Sequence, residues 1–120
     1  MNLNECNNLV DLFIDQANKQ KSDTIFSEWL NPINKKKYTW SEAKLNIFRF
    51  SKILKKFINE GDRCLLISEN RPEWLISDLA IMLAQGITVP AYTTYTENDY
   101  EYLIDDCKPA VIIISNNLIY

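Results

Sequence analysis

The stretch from Gly61 to Thr96, GDRCLLISENRPEWLISDLAIMLAQGITVPAYTTYT, most constrains what this chain can fold into. Arg63 to Ser68 is a continuous apolar strand, as expected where both faces of a parallel sheet are covered. Pro72 to Gln85 reads as a helix stopped by Gly86, and Ile87 to Ala91 as the next strand. Together they make one β-α-β unit of about 30 residues. A second crossover follows. Thr96 and Asp99 cap a helix to about Cys107, Pro109 breaks it, and Ala110 to Ser115 forms a third buried strand. Three apolar strands alternating with helices imply an α/β fold with a mostly parallel sheet.

The first half is built differently. Leu9, Val10, Phe13, Ile14 and Ala17 give Leu9 to Lys19 one apolar helical face. Thr24 to Leu30 reads as a strand, Asn31-Pro32 with Lys35 to Lys37 as a turn, and Tyr38-Thr39 as the start of a return strand, so the pair suggests a hairpin. The three lysines fit a solvated loop tip; contact with anionic lipid is the sharper alternative. Thr39 and Glu42 form a T-x-x-E capping box. Ala43, Ile47, Phe50, Leu54 and Phe57 then recur at helical spacing until Gly61, a residue suited to a left-handed cap. Asn116 to Tyr120 begins what reads as another helix.

With 120 residues and 47% hydrophobic content, the chain allows one domain with one core. A net charge of -3 argues against a nucleic-acid surface. Cys6, Cys64 and Cys107 match no metal-ligand spacing and suit a reducing, cytoplasmic setting. The polar start from Met1 to Asn8 does not read as a signal peptide. Leu79 to Thr96 lacks charge, but Gln85-Gly86 and Pro90 interrupt it, so a buried helix and strand explain it better than a membrane span.

Sites for chemistry are scarce. The turn after the first parallel strand, Ser68-Glu69-Asn70-Arg71-Pro72-Glu73, has no glycine to let a phosphate approach. Asn70 is suited to cap the following helix, Pro72 to its first turn, and Glu73 to its dipole. Arg71 is expected to pair with a neighbouring carboxylate rather than with a ligand anion. Zero histidine removes the commonest general base. Asp105 and Asp106 are adjacent on a helix and point in different directions. Tyr92, Tyr95, Tyr100 and Tyr102 lie among Glu97, Asp99 and Glu101, which favours structural packing over base stacking.

The wording of the chain adds a resemblance. VDLF, KKKYTWSEA, GDRCLLISENRPEW, AQGITVPAYTTYT and DDCKPAVIII together resemble the N-terminal region of long-chain acyl-CoA synthetases, in the adenylate-forming (AMP-binding) superfamily. SENRPEW with the VP-x-Y-x-T loop favours the long-chain branch. The resemblance implies that residues 1–120 are an incomplete N-terminal fragment of the large domain. The parent enzyme would activate a long-chain fatty acid with ATP and Mg2+ as an acyl-adenylate, then transfer the acyl group to coenzyme A. The phosphate loop, the nucleotide-site motifs and the catalytic lysine of the family lie downstream, so no catalytic residue is expected here and none of these cofactors is expected to bind this chain alone. By the same resemblance, Tyr92, Thr93 and Thr94 correspond to a loop bordering the coenzyme A channel, although they replace its glycines. No nucleic-acid partner is expected, and family members can attach peripherally to membranes. A free-standing α/β binding or interaction module without catalysis is the alternative reading.

Overall fold

A computed structural model of the chain describes residues 5–33 and 35–116. The helix expected to start at Asn116 lies, beyond that residue, outside the described residues. The elements run α1 (Leu9–Lys19), β1 (Ile25–Trp29), β2 (Lys36–Thr39), α2 (Trp40–Leu54), β3 (Arg63–Ile67), α3 (Pro72–Leu83), β4 (Ile87–Ala91), α4 (Glu97–Cys107) and β5 (Val111–Ile114).

Strand β3 is the axis. It pairs in parallel with β4 from Arg63↔Ile87 to Ile67↔Ala91, and with β5 from Cys64↔Val111 to Ile67↔Ile114. The order is therefore β4-β3-β5. Because β3 is flanked on both sides, Cys64 through Ile67 are all buried, which accounts for their unbroken apolar run. Pro90 is accommodated because β4, among the described residues, has an unpaired side that needs no donor. Successive β3 side chains point to opposite faces. Cys64 packs into the cluster formed by α1, α2 and α3 with Phe13, Ile47, Leu79 and Ile81. Leu65 and Ile67 pack with Tyr100 and Leu103 of α4. Helices on both faces are what two right-handed crossovers to opposite sides of one strand produce.

The β1–β2 pair is antiparallel, from Ile25↔Thr39 to Trp29↔Lys36, with an irregularity between Ile25 and Ser27. Phe26 meets Phe13 at 5.4 Å and Trp40 at 4.8 Å between ring centroids, tying the hairpin to α1 and α2. The return strand begins earlier than the sequence suggested. Lys36 and Lys37 are strand residues, and the expectation that all three lysines form a loop tip is corrected.

Several terminal features also differ. The Thr39 hydroxyl accepts the Glu42 amide at 3.1 Å, giving half of the expected box. Both halves are present at Thr96 and Asp99. Helix α2 ends at Leu54, so Phe57 leaves the buried stripe. Gly61 does have a left-handed φ of 82°, but in the turn leading to β3 rather than at the end of α2. The left-handed residue after α3 is Gln85, at φ 66°, not Gly86. Gly86 answers to space: a Cβ there would lie 2.9 Å from Ile58 Cδ1 and 3.1 Å from Ile81 Cγ2. No helix among the described residues is long and apolar enough to cross a membrane.

Candidate functional site

In an open parallel sheet, ligands sit beyond the carboxyl ends of strands where the chain's connections depart in opposite directions. Here that point is the end of β3, between the turn Ser68–Glu73 and the end of β5. A cavity of about 340 Å3 lies there, lined by Phe50, Leu66, Ser77 and Ile113 and by the polar groups of Lys36, Arg71 and Glu73.

Glu73 organises the polar side. Arg71 donates to it through Nε at 2.9 Å and Nη2 at 3.1 Å. Lys36 Nζ lies 3.0 Å from its Oε1, and the Tyr38 hydroxyl donates to the same oxygen at 3.2 Å. Burial pushes the Glu73 carboxyl up, but the hydrogen bonds from Arg71 and Lys36 outweigh it and hold the group at about 2. The Arg71 guanidinium also lies 4.7 Å from the centre of the Trp29 ring. The expected pairing of Arg71 with a carboxylate is thus observed, and the hairpin is clamped to the start of α3.

Glu69 fills the other side. It accepts from the Ser115 hydroxyl and, at 2.9 Å, from the Asn116 side-chain amide. The bond from Ser115 is the main reason its carboxyl lies below the usual range. This links the β3–α3 turn to the end of β5. The expectation for Asn70 is corrected: the residue at the N-cap is Arg71, with extended backbone and no side-chain capping bond, while Asn70 is exposed.

These residues do not fit the phosphates of ATP. Two ionised carboxylates occupy the turn, the N-terminus of α3 already faces Glu73, and Arg71 and Lys36 are committed to that carboxylate. Among the described residues no group of three or more His, Cys, Asp or Glu could hold a metal ion.

Tyr92, Thr93 and Thr94 lie after the carboxyl end of β4, on the opposite side of β3 from β5. Tyr92 is 71% exposed, and its carbonyl accepts the Tyr100 hydroxyl at 2.7 Å. Thr94 is exposed and Thr93 half-buried. The rings of Tyr92 and Tyr95 meet edge to face at 5.4 Å, and Tyr95 lies 6.0 Å from Tyr100. Tyr102, exposed on α4, is not part of that ring cluster. Phosphate-bearing coenzyme A would find hydroxyls here, but the charges next in sequence, Glu97 and Asp99, are acidic.

The contributions of Lys36, Tyr38, Ser115 and Asn116 were not anticipated. They come from separate parts of the chain, and only the unpaired look of Glu69 and Glu73 in a glycine-free turn hinted that partners were needed.

Comparison with known proteins follows the same line. Residues 13–119 match the family described as AMP-binding enzyme. Over 80 residues the chain is 32% identical to fatty acyl-CoA synthetase A of Dictyostelium discoideum, covering 63% of this chain and 12% of that protein. Over 115 residues it is 29% identical to acetyl-coenzyme A synthetase of Leptospira biflexa, covering 95% of this chain and 17% of that one. The chain thus spans less than a fifth of the length of these relatives. The structure of a fatty acid AMP ligase from Legionella pneumophila superposes with a TM-score of 0.80 at 18% identity, over 92% of this chain and 20% of that one.

Proposed function

Because the chain belongs to the AMP-binding enzyme family, we propose that residues 1–120 form the N-terminal scaffold of an ATP-dependent ligase acting on a long-chain fatty acid. In this reading the acid's carboxylate attacks the α-phosphate of ATP, pyrophosphate leaves, and the coenzyme A thiol then takes the acyl group and releases AMP. The groups that hold the nucleotide and Mg2+, and the catalytic groups, come in this reading from other parts of the protein.

The observation that carries the reading is the family match across residues 13–119 on a sheet whose own crevice is flanked by the paired carboxylates of Glu69 and Glu73. Such a segment holds strands and helices in register and leaves the chemistry to other residues. Tyr92, Thr93 and Thr94 border the coenzyme A channel in this account, supported by their place beyond the end of β4 and by the exposure of Tyr92 and Thr94. The long-chain preference is supported by SENRPEW and by the relative named as a fatty acyl-CoA synthetase. In this reading the protein works in the cytoplasm, a compartment that the unbridged Cys64 and Cys107 suit.

The test is ATP–pyrophosphate exchange and acyl-CoA formation by the reading frame extended to the length of the relatives, with acetate, octanoate and palmitate compared. Exchange greatest with palmitate is expected. Exchange greatest with acetate would remove the long-chain assignment, and no exchange with any acid would remove the ligase reading and leave a binding module.

A further inference from the structure

We draw no further inference here: the strongest candidate, the edge of β5 (Val111–Ile114) turned away from β3, has no partner strand among the described residues, and nothing in the structure shows what covers it.

Discussion

Glu73 shows how one side chain can be settled by groups far away in sequence. Its carboxyl is held at about 2, against an ordinary value of 4.5, with partners contributed by β2 and by the turn before α3. A depressed carboxylate stabilises the fold fully above the unfolded value, and that contribution fades as pH falls from about 4.5 towards 2. Glu73→Gln should therefore lower stability by about 2 kcal/mol at neutral pH, after allowance for partial exposure. It should also flatten the acid limb of a stability-versus-pH curve in that window. Denaturant titrations at a series of pH values check both. Capping residues give a sharper contrast. The Thr96 hydroxyl accepts the Asp99 amide at 3.3 Å and the Thr96 amide donates to the Asp99 carboxylate at 2.9 Å, so Thr96→Ala should cost about 1 kcal/mol. Asn70→Ala should stay within about 0.5 kcal/mol, because Arg71 occupies the cap position and Asn70 is exposed. At Gly86 the limit is steric, and Gly86→Ala should cost about 1–3 kcal/mol in the same titrations, as Ile58 and Ile81 cannot both move aside without disturbing the core.

Elements were more legible in the chain than their ends. The run CLLI and the T-x-x-D sequence at Thr96 each carried a local physical cause, and β3 and α4 lie where those causes put them. The end of α2, the N-cap of α3 and the strand character of Lys36 and Lys37 were not legible. Each is decided by packing between segments: β2 extends because β1 pairs with it, and Arg71 is turned towards Glu73 and Trp29 instead of leaving the cap to Asn70. The candidate site was legible only in the negative. A turn without glycine and with two glutamates argued against a phosphate site, while the Ser115 and Asn116 partners of Glu69 stayed hidden some 46 and 47 residues downstream. The element hierarchy has a measurable consequence. Strand β3 is covered on both faces and both edges, whereas β4 and β5 each have one unpaired edge among the described residues. Amide hydrogen exchange should be slowest at Leu65 and Leu66 and faster along β4 and β5; equal protection in all three strands would contradict this order.

At the scale of the whole molecule, a three-stranded parallel sheet lies between two layers of helices, and the crevice at the end of its central strand is lined by Arg71, Glu73 and Ser115 that are paired within the chain. The glycine-free turn Ser68 to Glu73 separates this segment from dinucleotide-binding sheets of similar winding, where a glycine-rich turn leaves backbone N–H groups free for phosphate. The most direct measurement is an ATP titration of the 120-residue chain, followed through the backbone amide resonances of Ser68 to Glu73 and of Ser115 and Asn116. The account predicts that these resonances do not move, with or without Mg2+, because Glu69 and Glu73 keep their present partners. A saturable shift of the Glu69 to Glu73 amides, abolished by a competing nucleotide, would show that the turn after β3 accepts phosphate and would contradict the reading of this segment as scaffold.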